Sequence, residues 1–195
     1  MKLLLLLPLL FNMETKELTN NENQEIVLGG GCFWCIEAVF EDVRGVKSIV
    51  SGYSGGKIKN PSYREVSGSK TKHAEVCRIT YDSKKITLSN ILEIFFLSHD
   101  PTTLNRQGND IGNHYRSIIF FKDQSEKKII EDYITKIESS VFNNNIVTEI
   151  KQFDAFYLAE SYHQDYYKYN KEQAYCKIII SPKISKARKK LSKYY

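Results

Sequence analysis

Glu25-Ile26-Val27-Leu28-Gly29-Gly30-Gly31-Cys32-Phe33-Trp34-Cys35 is the stretch from which the fold of this chain can be read. A short β-prone run, three glycines and then Ile36, Ala38, Val39 and Phe40 at helical spacing predict strand, tight turn and helix, with Cys32 at or just before the first helical residue. The unpaired N–H groups and positive dipole end of a helix favour a thiolate over a thiol. Cys32 is therefore expected to have a lowered pKa and to act as a nucleophile. Cys35, three residues on, shares its helix face and lies within reach of whatever Cys32 becomes bonded to. The plain alternative is a pair of small buried hydrophobes. Glycines that let the backbone approach a ligand, and the only tryptophan of the chain between the two sulfurs, favour redox or catalytic use.

Outward from this stretch, Gly45 to Tyr53 alternates as a strand and ends in the turn Ser54-Gly55-Gly56. Lys57 to Lys72 reads as loop with a helical turn around Tyr63-Arg64-Glu65. In the strand His73 to Tyr81, alternation puts Glu75 on one face with Cys77 and Ile79, where desolvation raises a carboxyl pKa; a strand-end glutamate facing water is the alternative on these residues alone. Leu88 to Ser98 reads as an amphipathic helix starting near Thr87 or Ser89, Arg116 to Phe121 as a buried strand, and Asp123 to Ser139 as a helix capped by Asp123. Ile146 to Phe153 is expected as a further strand and Ala159 to Tyr169 as a short aromatic helix. Strands alternating with helices predict one α+β domain, a two-layer sandwich around a split β-α-β (ferredoxin-like) core. Residues 99–115 form a long connection rich in hydrogen-bonding groups, expected to be an ordered site loop anchored by Leu104, Ile111 and Tyr115.

At 195 residues, with 42% hydrophobic and 26% charged residues, the chain fits a single globular domain rather than a disordered or fibrous one. Its net charge of +5 is concentrated at one end. Lys183, Lys186, Arg188, Lys189, Lys190 and Lys193 fall in the last thirteen residues, and without them the body is at −1. This basic segment, 184–195, is read as a solvated tail, and no nucleic-acid partner is expected. Met1-Lys2 followed by the apolar run Leu3 to Phe11 resembles a secretory signal, so residues 1–24 are set apart and export is favoured over a cytoplasmic location. The domain then spans 25–183.

Four cysteines are too few for a disulfide scaffold, and the Cys-x-x-Cys pair points to a redox dithiol. A zinc site from Cys32, Cys35, His73 and Cys77 has the ligand count but irregular spacing, so neither metal nor cofactor is expected. A general thiol-disulfide oxidoreductase is the rival from the same residues, but a thioredoxin-like fold would need a proline loop facing the dithiol, and none of the four prolines is placed for that. His73, His99, His114 and His163 are read as surface or hydrogen-bonded residues rather than bases for a Cys-His hydrolase. A membrane-tethered binding module, using the Leu-rich start and basic tail, is a reading from another class.

GGGCFWCIE (29–37), GYSGG (52–56), NPSYREV (60–66), HAEV (73–76), DPTTLNRQGNDIGNHYRS (100–117) and AESYHQDYY (159–167) together resemble the A type of peptide methionine sulfoxide reductase, specific for the S epimer. The likeness runs from about Ile26 to about Lys183. It implies Cys32 as nucleophile, Glu75 as proton donor to the sulfoxide oxygen, Tyr63 and Tyr115 as hydroxyls that hold that oxygen, and Asp110 as a positioning carboxylate. Phe33 and Trp34 would form the apolar wall that receives the S-methyl group. Cys35 stands where many members have glycine, and the Gly-rich, cysteine-bearing tail of other members is missing. The resemblance thus implies a Cys32–Cys35 disulfide reduced by a thioredoxin-type donor, with oxidised proteins as substrate and a monomeric enzyme. Cys176 and Cys77 are read as packing residues, and Glu37 is left between salt bridge and site wall.

Overall fold

In the computed structural model of the protein, which describes residues 22–143 and 145–195, the sheet is built by the apolar runs picked out above. The strands are β1 (Asn23–Gly29), β2 (Val46–Ser54), β3 (Ala74–Asp82), β4 (Arg106–Gln107), β5 (Asp110–Ile111), β6 (Ile118–Phe121), β7 (Glu149–Gln152) and β8 (Phe156–Leu158). The helices are α1 (Phe33–Phe40), α2 (Tyr63–Ser67), α3 (Leu88–Ser98), α4 (Gln124–Val141), α5 (Tyr166–Tyr169) and α6 (Ser181–Lys190). Six strands form one sheet in the order β7-β6-β1-β3-β2-β8, antiparallel throughout except for β6 against β7.

Alternation along the strands divides the sheet into two faces. Ile26 and Leu28 of β1, Cys77 and Ile79 of β3, and Ile119 and Phe121 of β6 join Phe33, Ile36 and Phe40 of α1 and Ile91, Leu92 and Phe95 of α3 in the main core. Val27, Ala74, Val76, Ile118 and Phe120 form a smaller cluster on the opposite face, packed by Phe153 and Phe156. The fold is thus a mixed α/β arrangement with its helical layer on the face that carries Glu75 and Cys77.

Helix starts follow their capping chemistry. Thr87 caps α3, its side chain accepting from the Asn90 amide, and Asp123 caps α4 by accepting from Glu126. Ser62 and Glu65 form a reciprocal capping box at α2.

Three expectations need correcting, and one strand went unread. Leu104 and Ile111 are 69% and 68% exposed, so they do not anchor the 99–115 loop. The loop is held by its own polar groups: the β4–β5 hairpin, Gln107 Nε2 donating to the Asp100 carbonyl, and the Gly112 amide donating to the Asn105 carbonyl. The helix expected over 159–169 is broken, because Asp165 takes a left-handed conformation (φ 50°, ψ 30°), and only Tyr166–Tyr169 is α-helical. The strand β8 just before it went unread, since Phe156-Tyr157-Leu158 is short and its pairing with β2 is non-local. The basic segment 184–195 is not a solvated tail. α6 buries Ile184 and Ala187, and Leu191 and Tyr194 follow them into the core, while Arg188 pairs with Asp42 and Lys193 with Glu93. One-sided charge hid a helix whose apolar positions are few but regularly spaced.

Residues 1–21 of the signal-like start lie outside the described residues, and β1 already includes Asn23 and Gln24. Among the described residues, no helix is long and apolar enough to cross a membrane.

Candidate active site

Cys32 is the residue at which the chain leaves the glycine turn and enters α1, with extended backbone (φ −59°, ψ 127°). Gly31 sits at φ 90°, a conformation costly for any side chain, and its amide donates to the Tyr115 carbonyl at 3.1 Å. A Cβ there would come within 2.6 Å of the Gln107 side chain, so the turn and the 99–115 loop are pressed together at this point. That contact brings Tyr115 and Asp110 to the dithiol.

Glu75 lies on β3 beneath the first turn of α1. The Phe33 amide donates to its Oε2 at 3.1 Å, and its Oε1 is buried without a hydrogen-bond partner. At 1% exposure, burial pushes the carboxyl pKa up to about 8, against the Phe33 bond and with the nearby Asp110 charge adding to the rise. Because Oε2 accepts an amide hydrogen, Oε1 is the oxygen left free to carry the proton of the neutral acid.

Tyr63 opens α2. Its amide donates to Glu160 Oε1 and the Tyr53 hydroxyl donates to Glu160 Oε2, both at 2.8 Å, so one carboxylate fixes where α2 begins. The Tyr63 and Tyr115 hydroxyls lie close enough to influence each other's ionisation. Burial first, then the Glu75 charge, pushes Tyr63 up to about 12 and Tyr115 further still, so both remain neutral donors. Asp110 Oδ2 accepts from the Tyr175 hydroxyl at 2.8 Å. Together with Gln107, Ile179 and Lys183, Asp110 and Tyr175 line a cavity of about 450 Å³.

The dithiol departs from expectation in its charge. Burial pushes the Cys32 thiol well above its usual range, whereas Cys35 is drawn down to about 7 by the hydrogen bond from Cys32 and by the Lys183 ammonium beside it. Helix-end stabilisation of Cys32 is outweighed because the sulfur is enclosed and faces the Glu75 carboxyl. Of the two sulfurs, Cys35 is thus the more readily ionised.

Phe33 is fully enclosed and Trp34 half-buried, their rings tilted 37° with centroids 6.1 Å apart. Tyr166 stacks on Trp34 at 3.6 Å and 6°. All the residues singled out from the sequence, Cys32, Cys35, Phe33, Trp34, Tyr63, Glu75, Asp110 and Tyr115, thus gather around one end of α1.

The sequence profile of the peptide methionine sulfoxide reductase family matches residues 24–194. The chain belongs to that family. It is similar to the peptide methionine sulfoxide reductase MsrA of Trichodesmium erythraeum, 52% identical over 165 residues that cover 84% of this chain and 93% of the relative. The MsrA of Saccharolobus solfataricus is 53% identical over 159 residues, 82% of this chain and 89% of the relative. Among solved structures, Mxr1 from Saccharomyces cerevisiae in reduced form superposes with a TM-score of 0.75 at 33% identity, covering 80% of this chain and 90% of that one. Methionine sulfoxide reductase A of Corynebacterium diphtheriae does so with 0.69 at 32% identity, covering 78% and 77%.

Several neighbours of this family's dithiol in the present chain were not anticipated. Glu160, Tyr175 and Lys183 reach the site through the hydrogen bonds and charge effects above. Only the dense polar and aromatic content of AESYHQDYY gave a signal for the first. His163 is not a surface residue: it is buried, neither ring nitrogen has a hydrogen-bond partner, and its ring packs on Tyr63 at 4.6 Å and Phe33 at 5.0 Å. His73 and His99 are buried and hydrogen-bonded, His73 to Gly56 and Ile58, His99 to Phe95 and Ser117. Cys77 and Cys176 are free and fully buried.

Proposed function

We propose that this chain is a peptide-methionine (S)-S-oxide reductase. The observation that carries the reading is the half-occupied Glu75 carboxyl, held protonated near neutral pH with its free oxygen beside the dithiol. The Cys32 sulfur attacks the sulfoxide sulfur while the sulfoxide oxygen takes the Glu75 proton. Collapse releases methionine and leaves a sulfenic acid on Cys32. Tyr63 and Tyr115 donate to the oxygen, Asp110 positions the substrate, and Phe33 and Trp34 receive the methyl group.

Resolution follows from the hydrogen-bonded pair. The Cys35 thiolate attacks Cys32, forming an S–S bond as the S–O bond breaks and the oxygen leaves as water after taking a proton from solvent. A thioredoxin-type dithiol then reduces the Cys32–Cys35 disulfide. Cys176, buried and electrostatically coupled to Cys35, is the second thiol within this neighbourhood. The working unit is a monomer acting on oxidised proteins.

The strand order β6-β1-β3-β2, with α1 joining the parallel strands β1 and β2 across β3, supports the finer assignment of a split β-α-β core. Turnover of S- and R-epimers of a methionine sulfoxide peptide, with dithiothreitol and then with thioredoxin, tests the whole scheme. S-epimer activity lost in Cys32→Ser, and lost only with thioredoxin in Cys35→Ser, is expected. Full thioredoxin-dependent turnover in Cys35→Ser would move the resolving role to Cys176 or Cys77.

A further inference from the structure

Glu37 takes no part in the chemistry above, yet it is a carboxylate at 3% exposure on the same helix as the dithiol. Its two oxygens serve different elements. Oε1 accepts from Ser51 Oγ of β2 and Oε2 from the Tyr166 amide at the start of α5, each at 3.2 Å. The Asp165 amide also points at it, and the left-handed turn at Asp165 is what makes two successive N–H groups converge on one carboxylate. A charge-assisted bond of this kind offsets the backbone cost of that turn.

The Trp34 side of the arrangement is under-determined without this tie. Trp34 Nε1 is buried with no hydrogen-bond partner among the described residues, so ring contacts alone set the orientation of the indole. Tyr166 provides its one parallel contact, at 3.6 Å, while Phe33, His163 and Tyr175 meet it tilted or edge-on at 5.5 to 6.1 Å. Helix α5 is four residues long and has no fully buried residue, though Tyr166 and Tyr167 lie half-buried against the main core. Its other links to the body are Gln164, which brackets the Ser51 backbone through both its amide atoms at 3.0 Å, the Tyr167 hydroxyl against Ser181 Oγ at 3.0 Å, and the exposed Lys168–Glu41 pair. Only the Glu37 carboxylate holds the Tyr166 amide itself.

We propose that Glu37 is a positioning residue: by anchoring the Tyr166 backbone it holds the Tyr166 ring on Trp34 and so fixes the apolar wall that receives the substrate methyl group. The kinetic part of this proposal rests on the sulfoxide reductase reading; the conformational part does not. Trp34 is the only tryptophan in the chain, so intrinsic emission reports its surroundings directly. In Glu37→Ala the emission is expected to shift to the red and KM for a methionine S-sulfoxide peptide to rise about three- to tenfold, the range of an aromatic-pair interaction, with kcat in dithiothreitol little changed. Glu37→Gln keeps an oxygen for the Tyr166 amide and is expected to stay near wild type. Tyr166→Ala removes the ring, leaves the carboxylate in place, and should reproduce the Glu37→Ala effects.

Folded Glu37→Ala with wild-type emission and KM, or a loss confined to kcat, overturns the proposal. So does an unfolded Glu37→Ala accompanied by Tyr166→Ala with wild-type emission and KM. If the wild-type protein reduces no sulfoxide, the reductase reading fails while the emission of the three variants still decides whether Glu37 holds Trp34.

Discussion

Lys183, on the segment that looked like a tail, lays its ammonium beside the Cys35 sulfur on α1 and helps lower that thiol to about 7. The cation is brought there because α6 packs on α1. Lys183→Met is expected to raise the pH midpoint for alkylation of Cys35 in the reduced protein by about one unit, with Lys183→Arg close to wild type. Residue-resolved iodoacetamide labelling across pH 5–10 measures this. An unmoved midpoint in Lys183→Met would leave the hydrogen bonds from Cys32 and Tyr175 as the causes.

Glu75 separates two chemistries that the same dithiol could perform. Glu75→Gln keeps an oxygen for the Phe33 amide but has no acidic proton to give. Sulfoxide turnover is expected to fall by about 10²–10⁴-fold, the usual worth of a general acid, while reduction of a small disulfide changes only a few-fold. Equal losses in the two assays would remove the proton-donor role. In the wild type, sulfoxide reduction should be highest between about pH 7 and 8, limited on the acid side by protonation of the dithiol and on the alkaline side by ionisation of Glu75.

The same carboxyl sets a slope in stability. Its pKa is about 8 folded against 4.5 in the unfolded chain, so across that window the folded state retains a proton that the unfolded state has released. Stability therefore falls as pH rises from 4.5 through 8, and above 8 the full cost, on the order of 4 kcal/mol, is present. Glu37, raised to about 7 by burial, contributes in the same direction. Thermal unfolding at pH 5 and pH 9 should show a larger drop in Tm for wild type than for Glu75→Gln, with Glu37 leaving a residual slope in the variant. Parallel slopes in the two proteins would mean that Glu75 is not buried in its charged form.

What the sequence made legible here is local. Cys32, Cys35, Phe33 and Trp34 are neighbours in the chain, and Glu75 is placed by strand alternation with Cys77 and Ile79, so no tertiary knowledge was needed to put them on the right faces. The partners that shape their behaviour come from far along the chain. Glu160 reaches Tyr63 across 97 positions, and Tyr175 reaches Asp110 across 65. The expected helix-end activation of Cys32 fell to burial, a property of the packed site rather than of the motif. The expected aromatic helix at 159–169 fell to the left-handed turn at Asp165, which points its amide and that of Tyr166 at the distant Glu37 carboxylate.

The clearest such override is at the C-terminal end, where six basic residues read as solvated and the apolar positions between them decide the packing instead. Leu191 is 1% exposed among the core side chains, whereas Arg188, paired with Asp42, remains 46% exposed. Truncating a buried leucine removes transfer energy and leaves a cavity, so Leu191→Ala is expected to cost about 2–4 kcal/mol. Arg188→Ala removes an exposed ion pair worth less than about 1 kcal/mol. Chemical denaturation of the two variants distinguishes a packed helix from a charged appendage, because an appendage would make both substitutions nearly neutral. The packed reading carries a further consequence for the dithiol: loosening α6 at Leu191 moves Lys183 away from Cys35. Leu191→Ala should therefore also raise the Cys35 alkylation midpoint towards that of Lys183→Met, under conditions where the protein remains folded.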